Sequence, residues 1–422
     1  MIKKTLRKFR GDFMLVFMAN MFSYLVAFSG SIIYVRMLGK VDFGVYTFAF
    51  GIVSLFLLVN GFGAASGVLQ YVSKSRDSNE QKAYLNFAFK SGIAFNLFIA
   101  VLITFYAFLV PLPIANSRSV LLGMALFPVG RLYIDIFQAY LRATSQNKLQ
   151  AKFLIINNII LLLTNIIGVA IFKLYGLVYF TYIGYILMYL ISLFRFKLPI
   201  NLKSKDEIKI NKKHFLSYSF FTTLSNAFSG LLFVLDTIII GYILKDAELL
   251  AIYKVATIIP FAITFIPNIV VNYHYPEFVK NAHNKEILQA LAFKVSKQLF
   301  IFSSIISLCL IISAKHLIPI LFGDHYQESV LPFQIIAFGY WILATFRTVN
   351  GNILAALGKA RLSFYLTFVI LIVNLFVTYL MVHFFSIIGA AIAVVFMYAF
   401  SSLIGYVTLK IVLKKLPLQT NL

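Results

Sequence analysis

The sequence predicts an all-α polytopic membrane protein in which twelve transmembrane helices form two six-helix lobes, with both termini in the cytoplasm. Three observations lead to this prediction: the composition, the spacing of the apolar runs, and the distribution of lysine and arginine along the chain. The chain has 422 residues, of which 61% are hydrophobic and 12% are charged. Ordinary soluble domains are about 25% charged, so the composition excludes a water-soluble globular protein.

The apolar runs have the length that a helix needs to cross a bilayer, which is about 20 residues. Cut at charge clusters and at proline or glycine, the first half of the chain yields six helices, at 13–35, 44–71, 87–110, 120–142, 153–172 and 176–194. The second half yields six more, at 215–242, 250–275, 298–318, 330–357, 362–384 and 387–409. The run 362–409 contains no aspartate, glutamate, lysine or arginine and is too long for one crossing, so Ser386 and Gly389 are predicted to mark a hairpin.

Lysine and arginine alternate in number from loop to loop, which predicts the orientation because these residues stay cytoplasmic in short loops. Of the 37 cations, 28 lie at the two termini and in every second loop, and six lie in the alternate loops. The bias never reverses at a single loop, so it supports twelve spans with cytoplasmic termini. The basic segment 1–12 and the uncharged run 13–35 predict a retained first span, not a cleaved signal peptide.

The two halves of the chain are related by an internal repeat. One constant offset between the halves matches identical residues in two separated blocks, among them Leu141 with Leu354, Gly176 with Gly389, and Tyr185 with Tyr398. The repeat predicts three segments: an N-terminal lobe at 1–196, a basic cytoplasmic linker at 197–213 and a C-terminal lobe at 214–422. Because each half begins and ends in the cytoplasm, the halves are predicted to be parallel repeats, which transporters use to place a substrate site between two lobes.

Five ionisable residues fall inside predicted spans, where a charge is costly and therefore a functional candidate. The fourth helix carries Arg131, Asp135 and Gln138 on one face, at i, i+4 and i+7. Arginine stays charged when it is partly buried, and its planar fork matches phosphate oxygens, so Arg131 is a candidate for binding an anionic substrate. The structural alternative is that Arg131 only neutralises Asp135.

The second half supplies the other three intramembrane charges. Arg347, with Asn350 one turn further, lies within one turn of the position that the repeat assigns to Arg131. Asp236 and Lys254 lie toward the outer ends of the seventh and eighth helices, where they are predicted to form a structural ion pair. Asp135 and Asp236 are also the only intramembrane carboxylates, and so the candidates for binding a coupling proton or sodium ion, with Asp135 the first candidate.

The glycines and asparagines of the predicted spans indicate less specific roles. Gly61, Gly63 and Gly67 in the second helix indicate a bend or close packing. Intramembrane asparagines either join helices or line a wet cavity, and the candidates are Asn157, Asn158, Asn165, Asn268, Asn272 and Asn374.

No metal-binding, phosphate-loop or Ser/His/Asp pattern is present, so we expect no metal, no cofactor and no catalytic role. The basic residues are scattered over short membrane-flanking segments, which argues against nucleic-acid binding. The linker is instead expected either to contact anionic membrane lipids or only to set topology.

Several short motifs are spread over both halves of the chain. In the first half they are Val35-Arg36-Met37-Leu38-Gly39, Phe43-Gly44-Val45-Tyr46 and Gly61-Phe62-Gly63. In the second half they are Leu321-Phe322-Gly323 with Tyr326, Leu354-Ala355-Ala356-Leu357-Gly358-Lys359, and Ile388-Gly389-Ala390-Ala391-Ile392-Ala393. These motifs resemble those of the Wzx-type flippases of the multidrug/oligosaccharidyl-lipid/polysaccharide exporter superfamily. The resemblance covers nearly the whole chain and departs from the family pattern between Lys197 and Ser229.

The resemblance implies an architecture in which the two six-helix lobes surround a central cavity. It implies a flippase in the bacterial cytoplasmic (inner) membrane that moves undecaprenyl-diphosphate-linked oligosaccharide repeat units outward by alternating access. It implies a role in O-antigen, capsule or exopolysaccharide assembly, with a polysaccharide polymerase and a chain-length regulator as partners. Arg131 and Arg347 are the residues we expect to hold the diphosphate, with Gln138 and Asn350 beside them.

Three other functions remain open at this stage. A drug/cation antiporter of the same superfamily would need a net acidic cavity, whereas the intramembrane charges are three basic and two acidic. A peptidoglycan lipid-precursor flippase would use similar chemistry. A membrane glycosyltransferase or polymerase would need a sizeable extramembrane loop, and the loops here are short.

Overall fold

The computed structural model describes residues 2–196 and 210–414, which form helices and turns without a strand. The chain divides into two compact units, Met1–Val234 and Leu235–Leu422. Most of the predicted linker 197–213 lies outside the described residues, so the predicted lobe boundaries stay a prediction. Residues 214–234, which the sequence assigns to the second lobe, belong to the first compact unit.

The first unit contains six helices and the beginning of a seventh, which continues into the second unit. They are α1 (Ile2–Leu57), α2 (Ala64–Lys74), α3 (Ser78–Leu109), α4 (Ser117–Gly123), α5 (Phe127–Ala143), α6 (Asn147–Phe194) and α7 (Lys212–Leu244). A short 3-10 turn, Asn60–Gly63, joins α1 to α2. The core of this unit packs α2, α3 and α5 together around buried aromatic residues such as Phe89, Phe137 and Phe215.

The second unit contains the rest of α7 and six further helices. They are α8 (Ala247–Ala262), α9 (Phe265–Lys280), α10 (Lys285–Phe322), α11 (Val330–Ile342), α12 (Thr348–Ala356) and α13 (Ala360–Lys414). A 3-10 turn, Asp324–Ser329, precedes α11, and a π-helical turn, Leu343–Arg347, joins α11 to α12.

The apolar helices identify a multi-pass membrane protein. In the described part of the chain, seven continuous helical stretches are long and apolar enough to cross a membrane. The count rises to nine if each of two bent helix pairs is one span; one of these pairs is α4 with α5, which meet at 43°. Three of the seven stretches contain residues with positive φ, among them Gly39, Lys173 and Ser386. These are the places where the sequence predicts loops between spans, and the total of twelve stays a prediction.

Helix α6 folds back on itself at its non-helical residue. The Thr181 hydroxyl donates to the Asn165 side-chain oxygen at 2.9 Å, across the turn at Lys173. Gly168 and Gly176 also meet across this turn, where a Cβ on Gly176 would overlap the carbonyl oxygen of Gly168. Helix α6 is therefore a pair of antiparallel helices packed backbone to backbone.

The backbone of the second unit repeats this geometry at the offset found in the sequence. Lys173 has φ 49° and ψ −128°, and its counterpart Ser386 in α13 has φ 54° and ψ −138°. A Cβ on Gly389 would overlap the carbonyl oxygen of Met381, just as a Cβ on Gly176 would overlap that of Gly168. The predicted hairpin at Ser386 and Gly389 thus has the same construction as the one at Lys173.

The C-terminal ends of α5 and α12 also have matching backbone geometry. Ser145 and Gly358, which the same offset pairs, both have left-handed backbone, with φ 56° and 69°. The Gln146 amide donates to the Leu141 carbonyl at 2.8 Å at the end of α5. The Lys359 amide donates to the Leu354 carbonyl at 3.2 Å at the end of α12. This long backward bond is typical of the Schellman helix end, which favours a residue that tolerates positive φ.

The glycines of the second predicted span serve both of the roles expected from the sequence. Gly61 and Gly63 have positive φ within the turn that breaks the helix. Gly67 packs against the side chains of Phe215 and Ser219 at the start of α7, where there is no room for a Cβ. The bend and the close packing are therefore both confirmed.

We predict that Gly176→Ala and Gly389→Ala each destabilise the fold. A backbone oxygen occupies the space of the new methyl group in both hairpins, so the helices must separate. Overpacking of this kind costs about 1–3 kcal/mol. Thermal unfolding of the purified protein in detergent micelles will show Tm lowered by several degrees, by a similar amount in the two variants.

The matched control is Gly351→Ala. Gly351 is an exposed residue of α12 with no atom within 4 Å of the Cβ position. We expect this variant to unfold at or slightly above the temperature of the native chain, because alanine has the higher helix propensity. Unchanged Tm values for both hairpin variants would contradict the close packing of α6 and α13.

Candidate functional site

Arg131 and Asp135 form an ion pair on α5. The Arg131 Nε donates to Asp135 Oδ1 at 3.0 Å and to Oδ2 at 3.3 Å. The arginine side chain is nevertheless 50% exposed and the aspartate 31% exposed. Only Nε is used, and the two terminal amino groups of the guanidinium have no hydrogen-bond partner among the described residues. The end of the guanidinium that suits a bidentate anion is therefore free.

The sequence of α5 places this pair on its one polar face. Arg131 and Asp135 are four residues apart, one above the other on the helix. The other faces are apolar and buried, so the helix is anchored and the pair remains at its surface, with Leu132, Ile134, Ile136 and Phe137 each at most 1% exposed. Gln138 is half-buried one turn further along, and no described residue forms a hydrogen bond with its side chain.

Asn60 holds the other side of the Asp135 carboxylate. Its Nδ2 donates to Asp135 Oδ2 at 3.0 Å. Asn60 opens the turn that breaks the second predicted span, followed by Gly61 and Phe62 with φ of 58° and 53°. The break therefore directs the Asn60 side chain toward α5, where it donates one of the hydrogen bonds that Asp135 accepts.

Asn96, a residue of the unbroken helix α3, connects this turn to the beginning of α5. It is fully buried. Its Nδ2 donates to Asn60 Oδ1 at 2.6 Å and to the Pro128 carbonyl at 2.7 Å, and its Oδ1 accepts from the Gly61 amide at 2.7 Å. A buried backbone N–H without a partner is costly. Asn96 supplies that partner at the point where the helix is broken.

We call Arg131, Asp135, Asn60 and Asn96 the Arg131 cluster. The sequence analysis identified the first two and missed the two asparagines, which were absent from its set of candidate polar residues. One local signal was present: Asn60 directly precedes Gly61-Phe62-Gly63, a sequence that predicts a broken helix. Nothing in the sequence links Asn96 to that break, because Asn96 and Asn60 are 36 residues apart.

Arg347 in the second unit is at the end of the π-helical turn Leu343–Arg347. π-helical turns are rare and are frequently found at functional sites. The Arg347 guanidinium lies over the Tyr398 ring, 5.7 Å from its centroid. It forms no ion pair within the described part of the chain. Asn350 is buried one turn further along the chain, where its side chain lies near Gly405.

The two arginines have equivalent neighbours. Tyr185, which the repeat matches with Tyr398, packs its ring against Gly130 and interacts electrostatically with Arg131. Each unit thus places an arginine beside the same tyrosine of the repeat. The pairing agrees with the offset that relates the two halves of the sequence.

Asp236 is buried in the second unit and is only partly hydrogen-bonded. The Tyr253 hydroxyl donates to Asp236 Oδ2 at 3.3 Å, whereas Oδ1 is buried with no hydrogen-bond partner. Lys254 is close enough to interact electrostatically, but no nitrogen–oxygen distance within 4 Å joins these two described residues. The predicted ion pair is therefore not a direct contact. Asn374, whose own oxygen accepts from Thr378, also interacts with the carboxylate.

Within the described ranges 2–196 and 210–414, no group of three or more histidine, cysteine, aspartate or glutamate side chains is positioned to hold a metal ion. Asp236 has hydroxyl and amide neighbours, a set that suits a proton or a sodium ion better than a transition metal.

Comparison with known proteins gives a match to a family model. The model described as "Polysaccharide biosynthesis protein" matches residues 10–282. The teichuronic acid biosynthesis protein TuaB of Bacillus subtilis is 29% identical over 154 residues. That alignment covers 36% of this chain and 32% of TuaB, so the match spans about a third of the relative's length.

Two solved structures have the same fold over nearly the whole chain. The lipid II flippase MurJ, in an inward closed conformation, superposes with a TM-score of 0.76 at 15% identity, covering 96% of this chain and 88% of that one. An inward-facing multidrug resistance MATE family transporter of the MOP superfamily gives 0.72 at 13% identity, covering 94% and 95%. At these identities the likeness is one of fold.

We predict that Asn96→Ala destabilises the first unit. The substitution leaves the Gly61 amide and the Asn60 oxygen without their buried partner, at about 1–3 kcal/mol for each unsatisfied group. Thermal unfolding in detergent will show a lower Tm. The control is Asn20→Ala, at an exposed asparagine that bonds only to the Val16 carbonyl of its own helix. Equal Tm values for the two variants would contradict the role given to Asn96.

Proposed function

The chain belongs to the polysaccharide biosynthesis protein family, and from this premise we propose that it is a flippase for undecaprenyl-diphosphate-linked oligosaccharide repeat units. It moves them from the cytoplasmic to the outer leaflet of the bacterial cytoplasmic (inner) membrane, for O-antigen, capsule or exopolysaccharide assembly. The observation that carries this substrate is the half-exposed Arg131 side chain, whose terminal amino groups are unpaired in the described chain while Asp135 holds its Nε.

A diphosphate headgroup with attached sugars needs a polar path, because burying an unpaired charge in hydrocarbon is prohibitively costly. Arginine binds phosphate oxygens through two parallel hydrogen bonds, which gives both affinity and orientation. Arg131 binds the diphosphate in the first unit, with Gln138 beside it. Arg347, with Asn350 nearby, binds the diphosphate or acidic sugars at another stage of transport.

The membrane potential assists outward transport. Moving two negative charges from an inside-negative cytoplasm to the outside is favourable by roughly 4–5 kcal/mol per 100 mV. The proposed direction therefore agrees with the charge of the proposed cargo. An excess of basic intramembrane residues, three against two acidic ones, favours an anion over the cationic drugs of an antiporter.

The proposed topology has twelve spans with both termini in the cytoplasm. The backbone breaks at Gly39, Lys173 and Ser386 each separate two spans, and each bent helix pair forms one span. The 28 to 6 distribution of cations supports the same orientation. The two units expose the substrate alternately to the two sides of the membrane, and a polymerase and a chain-length regulator act on the delivered units.

Asp236 is the stronger of the two candidates for a coupling-ion site. Asp135 already receives hydrogen bonds from Arg131 and Asn60, so its charge is compensated. Asp236 has a buried oxygen without a partner, and a bound proton or sodium ion would satisfy it. Tyr253 and Asn374 are neighbours that orient the carboxylate for this purpose.

We predict that Arg131→Ala abolishes export, because the variant loses the two free donors for the diphosphate. In a strain lacking the native gene, cells that express the variant will show surface polysaccharide reduced at least tenfold and lipid-linked repeat units retained on the cytoplasmic side. Arg131→Lys keeps the charge without the bidentate geometry and restores export only in part. Arg347→Ala is expected to reduce export as well.

The control variant is Arg118→Ala, at an exposed arginine in the first turn of α4 that is not part of the Arg131 cluster. It should export normally at equal expression. If Arg131→Ala and Arg347→Ala both leave surface polysaccharide at the native level, arginine does not bind the cargo and the proposed mechanism is wrong.

We predict that Asp236→Asn uncouples transport from its ion gradient, because a neutral amide neither binds a proton nor attracts sodium. Purified protein in proteoliposomes will move a fluorescent lipid-linked oligosaccharide faster when a sodium or proton gradient is imposed. The Asp236→Asn variant will not respond to either gradient, whereas Asp324→Asn, at an exposed residue, will respond like the native chain. A normal gradient response in Asp236→Asn would exclude Asp236 as the coupling site.

A further inference from the structure

The Arg131 cluster ends at two helix breaks. From Arg131 the contacts run to Asp135 at 3.0 Å, to Asn60 at 3.0 Å and to Asn96 at 2.6 Å. Asn96 then reaches the Gly61 amide and the Pro128 carbonyl, each at 2.7 Å. A continuous chain of hydrogen bonds therefore joins the proposed anion-binding group to the backbone.

Both of these backbone positions lie where a helix is interrupted. Gly61 begins a run of three residues with positive φ, which separates α1 from α2. Pro128 lies in the first turn of α5, just after the 43° bend that separates it from α4. Helix α3 is continuous from Ser78 to Leu109 and carries Asn96 between the two breaks. Residues at the ends of helices are where hinge motions absorb large changes in φ and ψ.

Packing reinforces the connection between α5 and the first break. The Leu132 side chain fills the space that a Cβ on Gly61 would occupy, and it also lies against Gly92 of α3. Leu132 follows Arg131 directly in the sequence and is 1% exposed. A movement of this turn of α5 therefore presses directly on the break at Gly61.

Asn60 connects the ion pair on α5 to the buried Asn96. Its Nδ2 donates to the charged Asp135 and its Oδ1 accepts from Asn96. Asn96 is fully buried and uses its amide nitrogen twice and its oxygen once, so it forms the fixed end. Asn60 is only half-buried, and the contact that holds it toward α5 depends on Asp135.

Resting on the proposed function, we propose that Asn60 is a positioning residue that couples anion binding at Arg131 to the helix break at 60–63. An anion on the terminal amino groups of Arg131 brings negative charge close to Asp135 and repels its carboxylate, although the two occupy different edges of the guanidinium. The Asp135 side chain then changes its rotamer, its contact with Asn60 is lost, and the turn at 60–63 is released. Cargo binding is thereby converted into a change of the helix break.

The test uses the full chain in lipid nanodiscs and farnesyl diphosphate, a short isoprenoid diphosphate, as the probe. Binding is measured by titration calorimetry, and amide hydrogen exchange is followed in peptides that cover 58–66. In the native chain we expect saturable binding, with exchange in this segment at least fivefold faster when the probe saturates the protein. A native chain that binds the probe without this change overturns the coupling.

The variants separate the coupling from the proposed function. At probe concentrations that saturate each protein, Asn60→Ala and Asn60→Ser will show fast exchange at 58–66 with and without the probe. The control Asn158→Ala removes a half-buried asparagine that bonds to Leu154 and Ser23, outside the cluster, and keeps the native response. A purely structural role for Asn60 would lower Tm but leave the probe-dependent difference in place.

The Arg131→Ala variant distinguishes the proposed anion site from the proposed coupling through Asn60. If this variant binds farnesyl diphosphate as tightly as the native chain, the proposed anion site is wrong. If it loses binding at least tenfold while Asn60→Ala or Asn60→Ser still responds to saturating probe like the native chain, the anion site stands and the coupling through Asn60 is wrong.

Discussion

The structure depends on one constraint: inside a bilayer, every backbone polar group and every charge must find its partner within the protein. A continuous helix meets this requirement by itself, but a broken one does not. At Gly61 the positive φ releases the amide from the helix, and Asn96 replaces the missing bond. The same asparagine bonds to Pro128 at the start of α5. One buried side chain thus makes two helix interruptions compatible with the membrane.

The same constraint explains why the repeat is visible in the backbone more than in the side chains. The turns at Lys173 and Ser386 have nearly the same φ and ψ although the residues differ. A hairpin in an apolar environment leaves few ways to reverse the chain while its two helices stay in contact, and glycine permits that contact at Gly176 and Gly389. The two halves therefore share the geometry of the turn, the glycine and the phenylalanine that precedes the turn, Phe172 or Phe385, whereas most other neighbouring apolar residues differ between them.

The features that the sequence predicts correctly are those formed by residues close together in the chain. The apolar runs, the glycine break at Gly61 and the i, i+4 pairing of Arg131 with Asp135 all follow from spacing of a few residues. The contacts of Asn60 with Asp135 and of Arg347 with Tyr398 join residues that are far apart in the sequence, so no local pattern indicates them. The expected contact of Asp236 with Lys254 fails for a geometric reason: adjacent helical residues point about 100° apart, and Tyr253 is the one that faces the carboxylate.

The mode of pairing decides whether Arg131 is a structural or a functional residue. An isolated arginine in a membrane helix is costly, so some partner is needed while no cargo is bound. A carboxylate on both terminal amino groups would meet that need and also block the anion. Asp135 instead bonds to Nε, which stabilises the charge and leaves the outer edge of the guanidinium accessible. The structural and the functional interpretation of this pair are therefore compatible, because the aspartate that stabilises the arginine without cargo occupies a different edge from the one that binds phosphate.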